Sequence, residues 1–228
     1  MRETPLTRAA LARVIDHTLL KPEATAEAVD RLCDECAEHG FFAACVNPFW
    51  VPRCVARLAG RPTVVATVVG FPLGAAATAA KAHEAELAVR AGAREIDMVV
   101  NLGALVGGDD AAVTRDIAAV VDAAKSADPE ALVKVILETR ALTDAQIIRG
   151  CRCTAEAQAD FVKTSTGFHP AGGATVEQVA LLRRHAAPIR VKASGGIRDL
   201  ATARALLAAG ADRLGTSASV ALVTALEA

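Results

Sequence analysis

The sequence predicts a single (β/α)8 barrel, a TIM barrel of the α/β class, as one domain over residues 1–228. Three observations carry that expectation. Short β-rich runs alternate with Ala-rich helical stretches along the whole chain, and eight such units can be counted. Glycines stand where helices give way to strands. Lys134, Lys163 and Lys192 recur at a constant spacing of 29 residues, each inside an apolar run, as equivalent positions of successive units would. An open doubly wound sheet is the competing architecture. No G-x-G-x-x-G follows the first strand, which argues against it.

Taken in order, the first strand is expected at Val14–His17, and a helix over Thr25–Glu38 ends at Gly40, a left-handed cap. The second strand, Ala43–Val46, leads past Pro48 to a short, weaker helix over Val51–Leu58. The third, Thr63–Val69, is a β-branched run, and its helix, Ala79–Ala91, stops at Gly92. Glu95–Asn101 precedes a helix over Ala111–Ala124, and Leu132–Leu137 precedes one over Asp144–Ala157 with Thr143 as N-cap. Phe161–Ser165 and Thr175–His185 form the sixth unit. Ile189–Ser194 is followed by Leu200–Ala209, with Asp199 as N-cap and Gly210 beyond the end. Arg213–Thr216 and Ser219–Glu227 close the series.

Composition narrows the function. Hydrophobic residues make up 53% of the chain and aromatics only 3%, so the core is built from Ala, Val, Leu and Ile. The 25 basic and 26 acidic residues leave a net charge of −1, which favours neither nucleic acid nor an anionic membrane. Met1 to Ala12 has no long apolar stretch, and no later continuous apolar run reaches the ~18 residues of a membrane span. Six cysteines in a chain of this length are no secreted disulfide framework, so a reducing, cytoplasmic setting is expected. Cys33 and Cys36 form a C-x-x-C inside a predicted helix. Cys151 and Cys153 are too closely spaced for a second zinc knuckle, so the thiols read as buried or idle.

The chemistry is expected at the C-terminal ends of the strands, where barrels of this kind carry their sites. Polar residues collect there: Asp16, His17, Asn47, Asp97, Asn101, Lys134, Glu138, Lys163 and Lys192. Alternation sets Asp97, Val99 and Asn101 on one face, and Lys134, Ile136 and Glu138 on one face. A salt-bridged barrel core is the plain alternative for Lys134 and Glu138. A buried lysine is costly unless partnered, and an amine beside other cations loses its proton more readily and attacks carbonyls. Glycine-rich loops follow two of the lysines: Gly167, Gly172 and Gly173 after Lys163, Gly195 and Gly196 after Lys192. With Gly215-Thr216-Ser217 at the last strand, they suit a phosphorylated substrate, because backbone N–H groups can approach an anion there.

Five motifs in order carry a family resemblance: Ile15-Asp16-His17-Thr18-Leu19-Leu20-Lys21-Pro22, Val69-Gly70-Phe71-Pro72-Leu73-Gly74, Glu95-Ile96-Asp97-Met98-Val99-Val100-Asn101, Lys163-Thr164-Ser165-Thr166-Gly167-Phe168 and Lys192-Ala193-Ser194-Gly195-Gly196-Ile197-Arg198. From Ile15 to about Val223 the chain resembles the class I, Schiff-base-forming 2-deoxyribose-5-phosphate aldolases. The resemblance implies a (β/α)8 barrel without metal or other cofactor. It implies reversible cleavage of 2-deoxy-D-ribose 5-phosphate to D-glyceraldehyde 3-phosphate and acetaldehyde. It places the Schiff-base lysine at Lys163 and the proton-transfer pair at Asp97 and Lys192. Asp16, Cys45, Lys134 and Thr164 then belong to the substrate pocket, and Gly167, Gly195, Gly196 and Ser217 to the phosphate loops. Partners are small phosphosugars and aldehydes, with no nucleic acid and no membrane; monomer and homodimer stay open. Ala218 stands where many members have a second serine, and His169-Pro170-Ala171 replaces a run of small residues. The chain has no tyrosine, so the role of the tyrosine-ended tail of some members must pass to another group or to water.

In this reading Lys192, helped by Lys134, keeps Lys163 unprotonated by like-charge repulsion, whereas an exposed lysine is only about a thousandth neutral near pH 7. Two other readings keep the phosphate loops: an isomerase or decarboxylase using Lys163 as an electrostatic clamp, and a silent phosphosugar-binding protein. The histidines carry less: His39, His83 and His185 are solvated or packed, His17 can order the Asp16 pocket, and His169 can reach substrate. Lys81 and Glu84 read as a surface pair. Trp50 beside Phe49 reads as packing.

Overall fold

A computed structural model of the chain describes residues 6–226, in which eight parallel strands close into one barrel in sequence order. The strands are β1 Ile15–Leu19, β2 Ala43–Val46, β3 Val64–Val69, β4 Glu95–Val99, β5 Leu132–Ile136, β6 Phe161–Lys163, β7 Arg190–Ser194 and β8 Arg213–Thr216. Nearly every strand residue is buried, as a parallel sheet covered on its outer face demands. The register sets Asp97 opposite Lys134 and Lys163 opposite Lys192.

The helices form the outer layer. α1 (Arg8–Ala12) precedes β1, and α2 (Ala26–His39), α3 (Val51–Arg57) and α4 (Thr78–Arg90) follow the first three strands. The β4–β5 connection holds α5 (Leu102–Gly107) and α6 (Asp110–Ala127); α7 (Asp144–Glu156), α8 (Val176–Ala186), α9 (Leu200–Ala208) and α10 (Ser219–Thr224) complete the ring. Glu227, the expected end of the last helix, and Met1 to Pro5 lie outside the described residues. The predicted caps are in place. Gly40 ends α2 at φ 70°, and Asp199 accepts from the Thr202 amide at 2.8 Å. Thr143 and Gln146 form a reciprocal capping box on α7.

Two short helices escaped the sequence reading. Thr7 caps α1, and Asn101 caps α5 by accepting from the Ala104 amide at 3.1 Å. Asn101 therefore leaves the face it was expected to share with Asp97, and β4 ends two residues earlier than expected. The main core lies between barrel and helices, with Val29 and Leu32 of α2, Ile117 and Val120 of α6, and Leu182 of α8 packed on the strands. Inside the barrel the lining divides. β2 and β3 supply the apolar Ala43, Cys45, Ala66 and Val68, joined by Leu20, and the remaining strands supply charge. All six cysteines are buried free thiols. No helix among the described residues is long and apolar enough to cross a membrane.

Candidate active site

Period-two alternation turns Glu95 and Asp97 of β4, Lys134 of β5, Lys163 of β6, Lys192 of β7, Arg213 of β8 and Asp16 of β1 into one buried network. Asp97 is its hub. Its Oδ1 accepts from Lys134 at 2.6 Å, and its Oδ2 accepts from Lys163 at 2.6 Å and from Lys192 at 2.7 Å. Lys192 also donates to Asp16 Oδ2. Below this layer Arg213 donates to Asp16 Oδ1 at 2.7 Å and approaches Glu95 at 3.2 Å, and Lys134 meets Glu95 at 2.7 Å. The Arg213 guanidinium lies 3.5 Å from the centre of the Phe42 ring. Gly215 makes room for the network: a Cβ there would stand 3.0 Å from Lys192 Cε and 3.1 Å from Ser194 Cβ.

Four cations, Lys134, Lys163, Lys192 and Arg213, thus face three carboxylates, Asp16, Glu95 and Asp97. Burial and charge act differently on the members of this network. Burial would raise the Asp97 carboxyl, but the surrounding lysines hold it well below the usual carboxylate range. Burial opposes ionisation of Asp16 as well, and Lys192, Lys134 and Arg213 overcome it and hold its pKa at about 2. Burial would lower Lys192 and Lys134, yet Asp16 and Asp97 raise the first, and Asp97 and Glu95 the second, above the ordinary lysine value. Lys163 alone moves the other way. Burial depresses its pKa first and the Lys192 cation depresses it further, against the opposing pull of Asp97. The like-charge account is therefore corrected in its order: desolvation leads and repulsion by Lys192 assists. With Lys163 neutral the network balances three charges against three.

Lys163 is also the one member of the network that reaches a cavity. A cleft of ≈ 440 Å³ opens above it, lined by Thr18, Lys21, Phe168 and Ser194 among others, and by all four predicted phosphate-loop residues, Gly167, Gly195, Gly196 and Ser217. The two central loops touch backbone to backbone. A Cβ on Gly173 would sit 2.1 Å from Gly195 O, and the Ala174 amide donates to Ser194 O and Gly195 O at 3.1 Å. Exposed Lys21 and Arg198, to which the sequence reading gave no role, line the same cleft. The Ala218 amide is taken by Thr216 Oγ1 at 3.0 Å, so the position expected to lack a hydroxyl also has its N–H engaged.

Other predicted residues lie elsewhere. Thr164 does not line the cleft; its hydroxyl donates to Ser194 O at 3.1 Å and accepts from the Ser194 amide at 3.0 Å, tying β6 to β7. Cys45 is the exception: it sits in the apolar half of the barrel, where burial pushes its thiol pKa up, yet within electrostatic reach of Lys192, Asp97 and Lys163. Glu138 does not join Lys134 beneath the mouth. It sits beyond β5 at φ 58°, left-handed for a non-glycine, at a cost of about 1–2 kcal/mol, and accepts from Thr166. His17 faces the helices instead of ordering the Asp16 pocket, with Nε2 2.6 Å from Glu35. His169 accepts from the Ala171 amide at 3.1 Å inside its own loop. Lys81 is no surface residue: it is fully buried, 2.7 Å from Asp116, while Glu84 accepts from the Gly70 amide at 2.8 Å. Trp50 packs on the core, with Phe49 edge-on at 4.9 Å between ring centres.

Known proteins resemble this chain over most of its length. Residues 10–220 match the DeoC/LacD family aldolase model. A deoxyribose-phosphate aldolase of Brevibacillus brevis is 53% identical over 213 residues, 93% of this chain and 94% of that protein. One from Listeria monocytogenes is 52% identical over 215 residues, 94% of this chain and 95% of its own. The deoxyribose phosphate aldolase of Aeropyrum pernix, solved as a tetramer, superposes with a TM-score of 0.90 at 36% identity, covering 97% of this chain and 93% of its own. A barrel, a lysine–aspartate network under an open cleft, and these relatives lead to one conclusion: the chain belongs to the DeoC/LacD aldolase family and is a carbon–carbon lyase.

Proposed function

We propose that this enzyme reversibly cleaves 2-deoxy-D-ribose 5-phosphate to D-glyceraldehyde 3-phosphate and acetaldehyde through a Schiff base on Lys163. The observation that carries the reading is the depressed Lys163 amine at the floor of the cleft, alone among the buried lysines in facing open space. A neutral amine adds to the aldehyde carbon of the open-chain sugar, and loss of water leaves a protonated imine. The imine draws electrons from the C2–C3 bond as the C3 hydroxyl gives up its proton to a water held by Asp97 and Lys192. That bond breaks, glyceraldehyde 3-phosphate leaves, and an enamine remains. Protonation at C2 and hydrolysis release acetaldehyde and return the amine.

Asp97 Oδ2 bonds both Lys163 and Lys192, so one carboxylate oxygen connects the nucleophile to an ammonium that can return protons. Asp16 fixes the other side of Lys192. The phosphate end is met by the backbone of Gly167, Gly195 and Gly196, the Ser217 hydroxyl, and the exposed cations Lys21 and Arg198. Holding that remote group converts binding energy into placement of C1 over the amine. The names of the relatives supply the substrate, and their extent over the chain supports carrying it across. The free thiols support a cytoplasmic setting. The test is direct. Enzyme supplied with 2-deoxyribose 5-phosphate should release acetaldehyde and glyceraldehyde 3-phosphate in equal amounts; isomerised sugar without acetaldehyde would refute the reading in favour of an electrostatic clamp.

A further inference from the structure

Glu138 is a buried acid, 3% exposed, that the chemistry above does not use. It stands on a left-handed backbone immediately after β5 and outside the lysine network. Both donors of Thr166 converge on it: the amide lies 3.2 Å from Oε2, and the hydroxyl donates to the same oxygen. While donating to Glu138, the Thr166 hydroxyl accepts from the Phe168 amide at 3.1 Å. A relay therefore runs from Glu138 through Thr166 to Phe168, straddling Gly167. Thr166, Gly167 and Phe168 all line the cleft. Phe168 in turn packs edge-on against Phe71, with ring centres 5.2 Å apart.

The residues beside Glu138 bind the same loop. The Thr139 amide donates to Thr164 O at 2.9 Å, its hydroxyl donates to Gln178 in the first turn of α8 at 2.9 Å, and Arg140 Nε donates to Ala171 O at 3.1 Å. The turn after β5 thus grips the β6–α8 loop from its start to its end. The left-handed conformation at Glu138 turns the chain so that one carboxylate meets both Thr166 donors. A non-glycine in that region marks a place where the surroundings dictate the backbone.

We propose that Glu138 is the positioning residue of the phosphate-binding loop: its carboxylate sets the Thr166–Gly167–Phe168 turn that receives the phosphate of the substrate. The inference rests on the phosphosugar reading for its substrate, and on the bonds above for its geometry. It assigns the Thr166 amide to Glu138, so the amides that remain for phosphate on this loop begin at Gly167.

The experiment compares wild type, Glu138→Ala, Glu138→Gln and Thr166→Val on 2-deoxyribose 5-phosphate and on unphosphorylated 2-deoxyribose. Glu138→Ala should raise KM for the phosphorylated sugar at least about tenfold, with kcat/KM for the unphosphorylated sugar within about twofold of wild type. Glu138→Gln, which keeps an acceptor oxygen, should recover most of the loss. Thr166→Val should show the same split at smaller size, and with Glu138→Gln it decides the matter if Glu138→Ala does not fold. Calorimetric titration with inorganic phosphate should weaken in step with KM. That readout survives if wild type proves inactive on deoxyribose 5-phosphate, an outcome that would sink the proposed reaction and leave this inference standing. Equal losses on both sugars, an unchanged KM in Glu138→Ala, or unaltered phosphate binding would overturn it.

Discussion

Lys81 and Lys163 are both buried lysines bonded to an aspartate, at 2.7 Å and 2.6 Å, and their surroundings differ in two ways. The first is stoichiometry. Lys81 lies between α4 and α6 with one carboxylate, Asp116, whose second oxygen accepts from the Thr78 hydroxyl; its remaining bond goes to Val99 O at 3.0 Å. One cation meets one anion, and every strong bond is satisfied. Lys163 shares Asp97 with Lys134 and Lys192 in a network where cations outnumber carboxylates by one. The second difference is access: Lys81 is sealed, and Lys163 forms the floor of a cleft. A buried lysine is therefore no sign of chemistry by itself. It becomes one where burial and a neighbouring cation depress the amine and the amine opens onto a cleft.

Substitution can break this comparison. Lys163→Ala should reduce aldol turnover to background while leaving the fold intact, measured by acetaldehyde release and circular dichroism. Lys81→Met should do the reverse. Removing one partner of a buried pair costs about 3–5 kcal/mol, read as a loss of unfolding free energy in urea, with turnover per folded molecule retained. A Lys81→Met protein as stable as wild type would show that the helix-layer pair is not structural.

Smaller effects sharpen it. Lys192→Leu removes the cation that assists burial in depressing Lys163, so the acid limb of the imine-formation profile should move to higher pH; an unmoved limb would leave desolvation as the whole cause. The network should also register in acid. Asp16 titrates at about 2 in the folded protein, below its ordinary value of 3.8. A depressed carboxyl stabilises the fold fully above its unfolded pKa, and that contribution disappears as pH falls from ~4 towards ~2. Asp16→Asn should be less stable than wild type at neutral pH, and the gap in unfolding free energy should narrow across that interval.

The contrast between the two lysines also marks what was legible in the sequence. Apolar runs around Lys134, Lys163 and Lys192 betrayed burial, and their spacing of 29 residues betrayed equivalent positions of a repeating unit. Asp97 followed from its own apolar strand. Glu95 and Arg213 were missed, although period two places Glu95 on the face of Asp97 and Arg213 on the face of Gly215, where Lys192 packs. Lys81 was read as a surface residue because Glu84 stands three residues on, at the spacing of a surface ion pair on a helix. Its helical spacing to the buried Ala85 and Ala88 was the available signal. Asn101 was placed in a strand because the apolar run before it hides the break at Val99, although asparagine is a favoured cap. Glu138 was placed under the mouth by extending strand alternation past Ile136. Its positive φ ends that alternation, and nothing local in the sequence announces it. The order of causes at Lys163 was beyond the sequence altogether, because desolvation depends on how completely eight strands surround one amine.

Reductive trapping reaches the central claim most directly. Wild-type enzyme treated with acetaldehyde and borohydride, then digested and mapped by mass spectrometry, should carry a single ethyl group on Lys163. Lys81→Met should carry the same label, and Lys163→Ala should carry none. An unlabelled wild-type protein, or a label on Lys192 in place of Lys163, would contradict the assignment of the nucleophile to Lys163.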